Sequence, residues 1–236
     1  MAHHVAIKGA GFLMEKELKF LGQLLQNPQR PFIAILGGAK VSDKIPVIES
    51  LLSKADSILI GGAMAYTFFA AQGFGIGHSL VEEDKKDLAL NLLEKARSGR
   101  VDFQLPEDHV VAASMDPGAE ARTIREFPIP PDLMALDIGP RTVEKYGEVI
   151  ARAKTIFWNG PMGVFEIDRF ASGTIKLARA VADSDAVSIV GGGDSVAAVY
   201  KAGVQERISH ISTGGGASLE YIANETLPGI EALTEK

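Results

Sequence analysis

Apolar residues in this chain come in short unbroken runs, each closed by turn residues and followed by a stretch with helical spacing. The first run, residues 32–36, has five apolar positions between Pro31 and Gly37. That length suits a strand covered on both faces. Runs at 57–60, 109–113, 134–138, 155–158, 187–190 and 208–211 also read as strands. Between them, Leu18, Leu21, Leu24 and Leu25 mark a helix over 15–26, ended by Asn27-Pro28. Ile45, Ile48, Leu51 and Leu52 form one face of another. Further helices are predicted up to Phe69, over 82–97 (closed by Gly99), over 141–153 and 171–182, up to Lys201 and up to Glu225. Residues 73–77 form a loop, 116–132 a proline-rich excursion with at most a small hairpin, and the chain after Leu227 a tail. Strands alternating with helices predict βαβ units, hence a parallel sheet with helices on both faces. With no linker to divide the chain, it reads as one α/β domain.

One junction recurs four times between a strand and a helix: Leu36-Gly37-Gly38, Ile60-Gly61-Gly62, Val190-Gly191-Gly192-Gly193 and Thr213-Gly214-Gly215-Gly216. In a parallel sheet all four lie on the rim at the carboxyl ends of the strands, where open α/β sheets bind ligands. A single glycine turn signals only tight helix–sheet packing. Four on one rim, with helix N-termini aimed at one space, point to a phosphorylated ligand. No GxxxxGK[ST] occurs and no GxGxxG follows the first strand, so neither an ordinary P-loop nor an obvious dinucleotide fold is indicated.

The first junction runs on through Ala39-Lys40-Val41-Ser42-Asp43-Lys44. Ser42 is the expected N-cap, with Pro46 in the first turn. Lys40 and Lys44, at the N-terminal end of a helix, each oppose its dipole by about 0.3–1 kcal/mol and repel each other. Two readings stand here: solvated surface lysines, or a pair with an anion between them. Two acids share the rim. Asp194 either caps its helix or holds a Mg²⁺ that bridges phosphates. Glu166, after Asn159-Gly160-Pro161-Met162-Gly163-Val164-Phe165, either accepts bonds from ribose hydroxyls or is a surface charge. The histidines show no ligand spacing, and His109 and His210 fall in strand patterns as structural residues.

Composition narrows the classes. The 236 residues are 46% hydrophobic with net charge −6, so nothing general favours nucleic acid or an anionic membrane. The absence of cysteine excludes disulfides and thiol chemistry and fits a cytoplasmic protein. No run nears the roughly 18 apolar residues of a membrane span, and the N-terminus lacks the pattern of a signal peptide.

Leu36–Lys44, Trp158–Glu166, Gly191-Gly192-Gly193-Asp194-Ser195 and Ser212-Thr213-Gly214-Gly215-Gly216-Ala217-Ser218 together resemble phosphoglycerate kinase, from about Gly11 to the end. The resemblance is to the family's C-terminal, nucleotide-binding half. It implies a three-layer, Rossmann-like α/β/α domain with a six-stranded parallel sheet. It also implies Mg-ADP or Mg-ATP as ligand and reversible phosphoryl transfer between 1,3-bisphosphoglycerate and ADP, a step of glycolysis. By motif, Lys40 and Lys44 contact the nucleotide phosphates and the transferred phosphoryl group, and Gly192 and Gly215 complete the catalytic set. Ser195 and the backbone of Gly214, Gly215 and Gly216 meet phosphates with Asn159 nearby, and Gly38, Ala39, Val164 and Gly193 also contact the nucleotide. Asp194 binds magnesium and Glu166 holds the ribose. Gly61, Gly62, Leu136 and Pro161 line the adenine pocket.

The family's N-terminal half, with the arginines and histidine that bind phosphoglycerate, has no counterpart in these residues. Residues 1–10 match poorly, and the segment 227–236 resembles one that docks on that other half. Here it has nowhere to dock and is expected to be mobile or to pack in another way. The resulting expectation is a nucleotide-binding domain, 11–226, that holds its ligand without efficient turnover and has the phosphoglycerate-binding domain as its partner. A stand-alone nucleotide-binding or interaction module is the alternative, and a dinucleotide-dependent dehydrogenase is disfavoured by the absent fingerprint.

Overall fold

The computed structural model describes residues 8–233. The elements run α1 (Phe12–Gln26), β1 (Phe32–Leu36), α2 (Ile45–Leu51), β2 (Ser57–Ile60), α3 (Met64–Ala71), α4 (Lys86–Ser98), β3 (Asp102–Gln104), β4 (His109–Ala112), β5 (Arg122–Ile124), β6 (Met134–Ile138), α5 (Pro140–Ala151), β7 (Thr155–Asn159), α6 (Ser172–Asp183), β8 (Val187–Gly191), α7 (Gly193–Ala202), β9 (His210–Ile211), α8 (Gly216–Asn224) and α9 (Pro228–Glu231).

Six strands form a parallel sheet in the order β3-β2-β1-β7-β8-β9. All five residues of β1 are buried, because alternate side chains enter different cores. Phe32, Ala34 and Leu36 pack with α1, α2, α3, α4 and α8. Ile33 and Ile35 pack with α5, α6 and α7. The continuous apolar run is thus the signature of a strand with helices on both faces. From β1 the chain builds outward through β2 to β3, then returns to pair β7 on the other side of β1. Leu36 lies opposite Asn159 in that pair. The direction of winding reverses between β1 and β7, and in open α/β sheets the ligand cleft opens at such a reversal.

Two expectations are corrected here, and two strands, β3 and β5, join those expected. The runs at 109–113 and 134–138 are strands but belong to a separate antiparallel sheet, β5-β4-β6. The sixth parallel strand is β3, whose Asp102-Phe103-Gln104 carries only one apolar residue and so gave no run. The 116–132 excursion supplies β5, paired to β4 through His109–Ile124 and Val110–Thr123. Ser42 is not the cap of α2: Lys44 occupies the position before the helix and no side chain caps it.

The segment after Leu227 forms the short helix α9. Leu227 and Ile230 line an apolar groove together with Leu13, Met14 and Leu18 of α1 and Tyr221 of α8, and no residue of α9 is buried. Most of the 1–10 segment and residues 234–236 lie outside the described residues.

Candidate functional site

The glycine turns after β1, β2 and β7 interlock through their backbones. Gly37 N–H donates to Asn159 O at 3.0 Å, Gly38 N–H to Pro161 O at 2.9 Å, and Gly62 N–H to Met162 O at 3.0 Å. Such closeness leaves no room for a side chain. Gly160 has φ +97°, and a Cβ there would lie 2.1 Å from Gly37 O. At Gly62, φ +67°, it would lie 2.5 Å from Gly38 N. The turns therefore build a rigid floor, and the first residues of α7 and α8 border the same space.

Over this floor lies a cavity of about 370 Å³. Lys40 and Lys44 line it from the β1 side, Asn159 from β7, Gly192, Gly193 and Asp194 from the β8–α7 junction, and Gly215 and Gly216 from the start of α8. At Gly38, Gly193, Gly215 and Gly216 a Cβ would meet nothing within 4 Å, although the positive φ of Gly38 (+101°) and Gly215 (+54°) itself favours glycine. The Lys44 ammonium donates to Asn159 Oδ1, and Asn159 Nδ2 donates to Gly191 O at 2.8 Å. Burial holds the Lys44 pKa below its usual value, against the opposing pull of Asp43 and Asp194. A desolvated cation near helix N-termini is a strong receptor for an anion.

A second, mainly apolar cavity of about 230 Å³ adjoins the first. Tyr66, Leu80, Met134, Leu136, Met162 and Val164 form its walls, with Glu166 on its rim. Gly38, Ala39, Pro161 and Asp194 line both cavities, so the apolar cavity adjoins one that carries Lys40 and Lys44 beside Asp43 and Asp194. Asp137 also lines the apolar end and is 3% exposed. Its carboxylate accepts from Gly173 N–H at 2.6 Å and Ile138 N–H at 2.9 Å. Burial pushes it up to about 7, although those two amides and Lys176 act in the other direction.

Of the residues singled out from the sequence, Gly38, Ala39, Lys40, Lys44, Gly62, Leu136, Asn159, Pro161, Val164, Glu166, Gly192, Gly193, Asp194, Ser195, Gly215 and Gly216 line this cleft. Gly61 and Gly214 do not. Gly61 lies against Met162, whose Sδ would be 2.4 Å from an added Cβ, and Gly214 borders the apolar groove beside α1. Ser195 is fully buried, and its hydroxyl accepts from Gly160 N–H at 2.5 Å. It fixes the β7 turn as well as bordering the cavity. Tyr66, Leu80, Met115, Met134 and Asp137 were not anticipated. Met134 and Asp137 lie in a strand whose sheet the sequence pattern did not reveal, and Leu80 and Met115 lie in loops without periodicity. His109 is structural, as expected: Tyr66 and His109 share a hydrogen bond at 2.9 Å, and burial pushes the imidazole down to about 4. Among the described residues no three His, Asp or Glu side chains gather as a metal site, and no helix is long and apolar enough to cross a membrane.

Fold and site together define a doubly wound α/β domain with two adjoining cavities at its topological switch point. A family model described as phosphoglycerate kinase matches residues 1–225. A phosphoglycerate kinase of Prosthecochloris aestuarii is 57% identical over 238 aligned residues, covering 100% of this chain and 60% of its own length. One from Koribacter versatilis is 58% identical, with 59% of its length covered. Among solved structures, phosphoglycerate kinase from Coxiella burnetii superposes with TM-score 0.91 at 44% identity, covering 94% of this chain and 57% of that one. The Pyrococcus horikoshii phosphoglycerate kinase gives TM-score 0.81 at 38% identity, with 94% and 56% covered. The chain belongs to the phosphoglycerate kinase family. It spans about three-fifths of the length of these curated relatives. The family match starts at residue 1 and so takes in the first ten residues.

Proposed function

We propose that residues 11–226 are the nucleotide-holding domain of a phosphoglycerate kinase, binding ADP or ATP together with Mg²⁺. One observation carries the reading: at the switch point an apolar cavity and a lysine-lined cavity adjoin, sharing Gly38, Ala39, Pro161 and Asp194. An adenine fits the apolar end between Leu136, Val164 and Pro161. Glu166 stands on the rim where the ribose hydroxyls would emerge. The phosphates would lie over Gly38, Gly193, Gly215 and Gly216, where the backbone leaves open space, and receive charge from Lys40 and Lys44.

The donor set fits magnesium held jointly by protein and ligand. Asp194 is an exposed carboxylate lining both cavities, and Mg²⁺ prefers one or two carboxylates plus phosphate oxygens to an all-protein cage. When bound, the ion supplies charge neutralisation to the phosphates. This chain's own residues supply the rest: the glycine floor fixes the phosphates, and the lysines stabilise the charge that spreads over a transferred phosphoryl group.

Within this reading these 236 residues bind nucleotide but do not turn over efficiently alone. Neither cavity is lined by arginine, and phosphoryl transfer depends on holding both reactants in one geometry. The phosphoglycerate-binding domain of the longer relatives is the natural partner. Phosphotransfer in the cytoplasm is the setting this chemistry suits. A stand-alone nucleotide-binding or interaction module would share these lysines and open glycines, and the assay with an added phosphoglycerate-binding domain separates it from this reading.

The single tryptophan, Trp158, tests the reading. It is fully buried, and its indole N–H donates to Gly160 O at 2.8 Å, inside the turn that forms the floor. Mg-ADP should change its fluorescence saturably. A phosphotransfer assay should show activity only when a phosphoglycerate-binding domain is added. No response to nucleotide, or full activity of these residues alone, contradicts the proposal.

A further inference from the structure

The loop that carries both lysines is held by a carboxylate 40 residues further along the chain. Glu82 Oε2 accepts from Ser42 N–H at 2.9 Å, and Glu82 Oε1 accepts from the Ser42 hydroxyl at 2.6 Å. Ser42 stands midway between Lys40 and Lys44, in the turn ahead of α2, where backbone N–H groups have no partner within the helix. Glu82 does not cap α2, which begins at Ile45 without a side-chain cap; it ties down the turn ahead of the helix. The arrangement has a second anchor. Glu82 N–H donates to Thr67 Oγ1 at 3.1 Å, and Thr67 is fully buried in α3. The side chain of Glu82 thus reaches the lysine loop while its backbone is fastened to the core.

We propose that Glu82 is a positioning residue: its carboxylate clamps the 39–44 loop so that Lys40 and Lys44 face the phosphates of a bound nucleoside diphosphate. The inference rests on the nucleotide reading above. A carboxylate is suited to the task for two reasons. Its two oxygens fix both the position and the rotation of the turn. Its charge also lies at the start of a helix where two lysines oppose the dipole. Burial acts to raise the Glu82 carboxyl, but the bonds from Ser42 and Val41 outweigh it and hold the group below the usual carboxylate range. The clamp is therefore set at any pH near neutrality. Without it the lysine side chains remain, but they must be ordered at the moment of binding, and that ordering reduces affinity.

The geometry separates this role from a general structural one. Leu80, two residues before Glu82, lines the apolar cavity, and replacing the Glu82 side chain leaves the backbone bond to Thr67 in place. Binding of the base should thus survive while binding of the phosphates weakens. Calorimetric titration of adenosine, AMP and Mg-ADP tests this on the unchanged protein, Glu82→Ala, Glu82→Gln, Lys44→Ala and the Glu82→Ala/Lys44→Ala pair.

Glu82→Ala should weaken Mg-ADP by about tenfold and adenosine by less than about twofold. The same replacement made in Lys44→Ala should cost only about threefold or less, because a clamp has little left to position. Glu82→Gln keeps one acceptor but places an amide against a donor, and should fall between. It carries the same comparison should Glu82→Ala not fold. Equal losses for adenosine and Mg-ADP, or losses that multiply with Lys44→Ala, overturn the role of Glu82 while leaving the nucleotide site standing. Failure of the unchanged protein to bind Mg-ADP overturns both.

Discussion

The Lys44 ammonium donates to the side-chain carbonyl of Asn159, across the line where β1 and β7 meet. Asn159 is 2% exposed and is itself held by Gly191 O. One cation is thereby aimed by two strands and desolvated where the helix N-termini converge. Removing it should separate binding from folding. Lys44→Ala should weaken Mg-ADP by about 10- to 100-fold, the cost of one charge-assisted contact of roughly 1.5–3 kcal/mol. Thermal unfolding should change by less than about 1 kcal/mol, because loss of the Asn159 bond is offset by relief of a buried charge. Lys40→Ala should likewise weaken binding without loss of stability. A large fall in melting temperature for either variant would show that the lysines are structural.

Glycines on the same rim should divide by what faces them. Gly160→Ala places a methyl 2.1 Å from Gly37 O at φ +97°. It should cost about 3 kcal/mol or more, combining a left-handed backbone with overpacking. Gly193→Ala, with nothing within 4 Å and no positive φ, adds a helix-favouring residue at the start of α7. It should leave stability unchanged or raise it by up to about 1 kcal/mol, yet weaken Mg-ADP severalfold by filling the space a phosphate needs. Denaturant unfolding paired with calorimetry checks both halves.

Asp137 gives a pH signature with a definite sign. Its folded pKa is raised to about 7 by burial, above the ordinary value near 4. The folded state therefore binds more protons than the unfolded state between those values, and this group's contribution to stability falls as pH rises from about 4 to about 7. Asp137→Asn should flatten that part of the stability profile. It should also lower stability overall by about 1–3 kcal/mol, since one of the amide bonds to Gly173 or Ile138 loses its acceptor. An unchanged slope in Asp137→Asn would place the titration elsewhere.

Glu17 should act in the opposite sense. Burial favours its neutral form, but bonds from His210, Thr213 and Ser212 outweigh this and hold the carboxyl low. Its stabilising contribution is therefore present above the ordinary carboxylate value and is lost as pH falls through the lower folded value. Glu17→Gln should reduce the loss of stability on acidification below about pH 4.5, measured by thermal unfolding from pH 3 to 6.

What could be read from the chain was whatever depends on local pattern. The run 32–36 and the glycine pairs after it specify a doubly covered strand and a turn, and four such turns locate the rim. Pattern does not name a strand's neighbour, so 109–113 and 134–138 looked like members of the parallel sheet when they pair with each other. With them went the wall of the apolar cavity, including Met134 and Asp137. Asp102-Phe103-Gln104 was invisible because an edge strand of three residues needs little apolar surface. Ser42 was read as a local cap because nothing near it in sequence announces Glu82. Contacts between distant segments are set by packing, and the residues that make them carry no local signature.

The central claim is that the lysine-lined cavity and the apolar cavity form one nucleotide site. Calorimetric titration of Mg-ADP tests it most directly, with Lys44→Ala and Gly193→Ala as controls. The unchanged protein should give saturable one-site binding that weakens in both variants while both stay folded. Absence of heat up to millimolar Mg-ADP, or binding indifferent to both substitutions, would contradict the claim.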